Sequence, residues 1–187
     1  MLDEMAIRKH VSWSGKSFLG YDDLGCDVND DDSSPVAKNA LVLMVVALNE
    51  LWKVPCGYFL VDSLTGKERA NLVSQCIQRL YDIDVVVVSL TCDGPSCHFA
   101  MLAALGAVLK IPDLFPYFSH PSNPTQKIYV LFDVCHMLKL VRNTFADKGE
   151  LKDGKGQCIS WHFLVELHKL KAVLNLFFLE HIVECRI

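Results

Sequence analysis

The stretch Val85–Gly106, VVVVSLTCDGPSCHFAMLAALG, decides how this chain is read. A valine-rich run bounded by turn signals is too short for a helix and reads as a buried central strand over Asp84–Leu90. Asp93 and a Gly-Pro turn close it. The alanine-rich segment Ser96–Val108 then reads as a helix able to pack closely on a sheet. A carboxylate at the end of a buried strand needs a reason. Asp at a strand–helix junction is an ordinary cap or turn former. It is also where open α/β sheets gather ligands, at the carboxyl ends of their strands.

Working outward from that stretch, Leu2–Trp13 reads as extended, and Ser14-Gly15-Lys16 is a turn that lets Ser17–Tyr21 pair back as a hairpin. Asp22–Ser34 carries six aspartates and reads as a solvated loop without calcium-loop spacing. Ala40–Leu48 reads as a buried strand, with a helix as the competing reading, and is broken by Trp52–Pro55; Cys56–Val61 reads as a short extended run. Val73, Cys76, Ile77 and Leu80 place a helix over Gly66–Tyr81. Four prolines assign Ile111–Gln126 to a loop. Lys127–Phe132 reads as a strand ending on Asp133, and Cys135–Ala146 as a helix with Met137, Leu138, Val141 and Phe145 inward. Lys148–Gly156 reads as a charged linker and Ile159–Phe178 as a long helix whose Phe163, Leu167, Leu170 and Leu174 form a packing stripe. Strands come first, then helices and strands alternate. The expected class is α/β: a mixed sheet, antiparallel at its start and parallel later, with flanking helices.

Composition bounds the function. The chain has 187 residues, 51% of them apolar, enough for a sizeable core. Its net charge of −4 is unlike a free-standing nucleic-acid binder, so contact with DNA would need local basic faces, bound cations or other segments. The longest clean apolar run, Ala40–Leu48, is far short of the ~20 residues of a membrane span, and the N-terminus lacks a signal-peptide pattern. An intracellular, soluble protein with no membrane partner is expected. Eight cysteines occur without a C-x-x-C pair. Cys92 and Cys97 flank the Asp93 turn with His98 beside them, a weak zinc pattern against the reading of reduced thiols in a core.

Three strand ends carry an acid: Asp3, Asp93 and Asp133. Two carboxylates on adjacent strands can hold divalent ions that activate an attacking water or hydroxyl and stabilise the leaving oxygen in phosphodiester chemistry. Magnesium suits such a site.

The segments LDEMAIRKHVSW, FLGYDDLG, WKVPCGYFLV, SLTCDGPSCHFAMLAALGA, YFSHPSNPTQKIYVLFDVCHMLKLVRNTF and ISWHFLVEL occur in this order. Together they resemble the catalytic core of P-element-type DNA transposases, in particular the related THAP-domain proteins. The resemblance implies an RNase H-like fold with an Asp-Asp-Glu metal site, interrupted by a helical GTP-binding insertion. It implies Mg2+ (or Mn2+) as cofactor, transposon-end DNA as partner, homo-oligomers and a nuclear location. By position, Asp3 matches the first catalytic and metal-binding aspartate and Asp93 the second. Glu4, adjacent in the strand, points to the other face. Asp133 stays open between a cap for the following helix and a phosphate path shared with His136, Lys139, Arg142 and Asn143.

The resemblance divides the chain into an RNase H-like core over 1–146, incomplete, and a linker with the truncated start of the insertion over 147–187. It puts the third acid beyond the insertion. Glu166, Glu180 and Glu184 do not stand in that motif, the tail LNLFFLEHIVECRI departs from the pattern, and no Walker-type phosphate loop occurs. The GTP site is therefore expected to be largely absent. The alternative expectation is a catalytically inactive, domesticated or truncated remnant that binds DNA or protein.

Overall fold

The computed structural model describes residues 1–25, 35–94 and 96–174, the side chains of 171–174 excepted. Most of the aspartate-rich loop, the tail beyond Leu174, Glu180 and Glu184 therefore lie outside the described residues. The chain divides into two compact units, Met1–Asp133 and Val134–Ile187.

In the first unit, β1 (Leu2–Ala6), β4 (Asn39–Val46) and β5 (Lys53–Val61) form an antiparallel sheet in the order β1-β4-β5. The small hairpin β2 (Ser12–Trp13) and β3 (Phe18–Leu19) closes around the Ser14–Ser17 turn, as its sequence predicts. A second sheet has the order β6-β8-β7, from β6 (Ser89–Cys92), β7 (Tyr117–His120) and β8 (Asn123–Phe132). Here β6 and β8 run parallel and β7 antiparallel to β8. The two sheets meet where β1 and β6 lie side by side.

One face of these strands is dry. Leu2, Leu41, Leu43, Leu90, Cys92, Ile128 and Val130 pack against helix α1 (Gly66–Tyr81) and helix α2 (Ser96–Leu105), through Ala70, Val73, Ile77, Met101 and Leu102. Helix α1 starts on a capping box. The Glu68 N–H donates to Thr65 Oγ1 and the Thr65 N–H to Glu68 Oε2, which satisfies two otherwise unpaired donors.

Three readings are corrected. Val85–Val88 lies outside the strand, although the Tyr129 N–H and the Gln126 side chain hold the carbonyls of Val88 and Val87. The prolines of 111–126 do not exclude β7 and the start of β8: Pro116 falls ahead of β7, Pro121 in the connecting turn, and Pro124 is the second residue of β8. Pro55 likewise sits inside β5, where the register shifts between Leu43 and Met44.

In the second unit, the linker over 148–156 contains half of a hairpin, β9 (Glu150–Lys152) with β10 (Cys158–Ser160), between helix α3 (Val134–Lys148) and helix α4 (His162–Leu174). Phe145 of α3 meets Trp161 edge-on at 5.2 Å. Leu138 and Val141 of α3, and Phe163, Leu167 and Leu170 of α4, are exposed rather than inward. No helix among the described residues is long and apolar enough to cross a membrane.

Candidate metal centre

Strand alternation sorts the acids of β1. Leu2 is buried in the core and Glu4 reaches α1, so Asp3 between them points to the opposite, exposed face. Its register partner there is Val42, which is paired in turn with Tyr58. The Asp3 carboxylate accepts from the Glu4 N–H at 2.9 Å.

On β6 the alternation runs the same way. Leu90 and Cys92 are buried and Thr91 faces the other side. Asp93 follows at the carboxyl end of the strand. The Asp133 N–H donates to the Cys92 carbonyl at 2.9 Å, so the ends of β6 and β8 are level and both aspartates leave the sheet together. Burial, and then the charge of Asp93, pushes the Cys92 thiol up to about 11.

Behind this edge is a polar cluster that the sequence did not reveal. His98, in the first turns of α2, is fully buried. Its Nδ1 lies 3.1 Å from the Asp93 carbonyl oxygen and 2.7 Å from Asp93 Oδ1. The second contact is off the line of a hydrogen bond, so Oδ1 is a buried oxygen with lone pairs to offer. Glu4 is held by both terminal nitrogens of Arg69, a buried residue of α1. Glu4, Cys97 and His98 each bring one donor atom within 4.8 Å of the others. Because Arg69 already occupies both oxygens of Glu4, the cluster serves as a buried ion pair rather than as a cage for a soft cation.

The structure thus brings Asp93 together with His98, and Glu4 together with Arg69, Cys97 and His98. Asp3 stands on the neighbouring strand with its carboxylate in solvent. Asp3 and Asp93 each bring hard carboxylate oxygens of the kind Mg2+ or Mn2+ takes, Asp3 on the exposed face and Asp93 Oδ1 beside His98. Glu166 is exposed and engaged by Lys169 at 2.8 Å, which holds its carboxyl below the usual range. Glu4 was visible in the sequence as facing away from Asp3. In the sequence His98 stood out only in the weak zinc pattern with Cys92 and Cys97, and nothing there singled out Arg69.

Two three-stranded sheets, one antiparallel and one mixed, with helices on one face and acids at strand edges define an RNase H-like α/β core. A solved structure, the Drosophila P element transposase strand transfer complex, superposes with a TM-score of 0.66 at 20% identity, over 90% of this chain and 33% of that one. Residues 1–106 match the family model for the TNP-like RNase H N-terminal domain, and residues 135–186 that for the TNP-like GTP-binding insertion domain. The chain belongs to this TNP-like family of P-element-type DNA transposases. Similar proteins include the human DNA transposase THAP9, 33% identical over 173 residues, which are 91% of this chain and 19% of that protein. The Transposable element P transposase of Drosophila melanogaster is 29% identical over 112 residues, 60% of this chain and 14% of that protein. The chain therefore spans less than a fifth of the length of either of these relatives.

Proposed function

We propose that this chain is the amino-terminal part of the catalytic core of a DNA transposase, with the beginning of its GTP-binding insertion, and that Asp3 and Asp93 bind a divalent metal ion. The activity served is DNA strand cleavage and transfer by the whole protein in the nucleus, with transposon-end DNA as partner. The observation that carries this reading is that β1, which holds Asp3, lies beside β6, which Asp93 directly follows, in a chain whose first 106 residues match the RNase H N-terminal family model.

When bound, Mg2+ or Mn2+ would supply activation of the attacking oxygen and stabilisation of the leaving one. This chain contributes two of the carboxylates. Asp3 presents an exposed carboxylate on the open face of the sheet. Asp93 offers a buried oxygen at the strand end. The core beneath them fixes the separation of the two strands.

The test is Mn2+ titration by calorimetry of the wild-type chain, Asp3→Asn and Asp93→Asn. Binding by the wild type and its loss in both variants are expected. The thermal midpoints should hold or rise slightly, because nearby carboxylates repel one another without a metal. Undiminished Mn2+ binding by Asp93→Asn sinks the reading. Mn2+ binding without nicking of a DNA substrate would instead favour a chain that binds but does not cut.

A further inference from the structure

We infer that His98 is a positioning residue for Asp93: its imidazole, protonated at Nδ1, orients the carboxylate that faces the cation. The role rests on the reading of Asp93 as a metal ligand.

Electrostatics fixes the proton. Nδ1 has two near neighbours on Asp93, the backbone carbonyl oxygen at 3.1 Å and carboxylate Oδ1 at 2.7 Å. Both are acceptors. A bare Nδ1 lone pair against two oxygens in a buried site would be repulsive, so Nδ1 carries the hydrogen and donates. It is aligned on the carbonyl and lies beside the carboxylate, tying the backbone and the side chain of Asp93 to one rigid ring. The ring cannot rotate away, because His98 is fully buried and sits on α2 with Met101 and Leu102 in the core. Nε2 is buried with no hydrogen-bond partner among the described residues, which is tolerable for a bare lone pair and costly for an N–H. Both ring nitrogens therefore favour the same tautomer. A donor behind a ligating carboxylate fixes its direction and leaves its outer lone pairs for the metal. Loss of outer-shell partners of this kind typically weakens metal binding about 10–100-fold.

The experiment uses the full chain and two readouts. In a long-range 1H–15N spectrum of the wild type, His98 should show a protonated Nδ1 and a bare Nε2. The opposite tautomer overturns the proposal, and this spectrum needs no metal. In Mn2+ titrations, His98→Leu should bind about 10–100-fold more weakly. His98→Asn, which can place an amide N–H near the position of Nδ1, should recover most of the loss. Equal weakening in both variants would mean that the ring matters for packing alone and would overturn the proposal, as would unweakened binding in a folded His98→Leu. Should wild type and Asp93→Asn bind Mn2+ alike, the metal reading fails, while the His98 tautomer is still decided by the spectrum. A His98→Leu chain that does not fold leaves that spectrum as the deciding measurement.

Discussion

Arg69 and Glu4 are the pair on which the region behind Asp3 depends. Their side chains are 5% and 14% exposed, so two charges have been taken out of water and each compensates the other. Removing one partner of a buried pair strands the other, at a cost of about 3–5 kcal/mol. Arg69→Leu should therefore lower the unfolding free energy in urea by an amount of that order, and Arg69→Leu with Glu4→Gln should recover part of it. A midpoint unchanged in the single variant would mean that the pair is solvated. The buried histidines His98 and His120 show how local geometry sets tautomers. His120 Nδ1 accepts from the N–H groups of Ser122 and Asn123, so its proton sits on Nε2. His98 Nδ1 faces two oxygens and carries its own. Asp3 and Asp93 could be picked from the sequence because their motifs are local. Arg69 and His98 could not, because what defines them is a partner 65 residues away in one case and complete burial in the other.

The junction between α1 and α2 sets where these side chains lie. Gly66, the first residue of α1, is pressed against α2: a Cβ there would stand 2.6 Å from Ala100 Cβ and 2.7 Å from its backbone carbon. Backbone cannot yield as a flexible side chain does. Overpacking of this kind costs roughly 1–3 kcal/mol, against at most about 1 kcal/mol gained from alanine's better helix propensity. Gly66→Ala should thus be net destabilising in urea denaturation, with a midpoint at or above wild type counting against the close approach. Helix α1 was legible from its apolar spacing, while the Thr65–Glu68 capping box at its start emerged only in the structure. Strand β7 was hidden by the surrounding prolines, which fall at its edges. The hairpin of β9 and β10 was hidden because Glu150–Lys152 is charged and largely exposed, and a strand outside a core lacks the apolar alternation that signals one.

Across the first unit, a single apolar layer lies between the sheets and the two helices, and Cys92 is part of it at 1% exposure. Cys135, by contrast, is exposed. Alkylation at neutral pH should label Cys135 in the native chain, and Cys92 only as the core opens in denaturant. Equal native labelling of the two would contradict the packing. Burial also raises the Cys92 thiol from its ordinary value of 9.0 to about 11. The unfolded chain therefore gives up this proton first, and the contribution of Cys92 to stability is lost as pH rises from about 9 towards 11. A urea midpoint falling through that window in wild type, and falling less in Cys92→Ala, is the expected result.

By itself the sequence determined the class of fold and the order of most elements, and put forward the two aspartates, because apolar periodicity and short motifs are written in neighbouring residues. Only the tertiary structure decided that β1 lies beside β6, that Glu4 belongs to Arg69, and that a buried imidazole stands behind Asp93. Those facts follow from pairing and burial across distant segments, and the energy of a charge or a ring nitrogen is set by what surrounds it in space rather than by what precedes it in the chain.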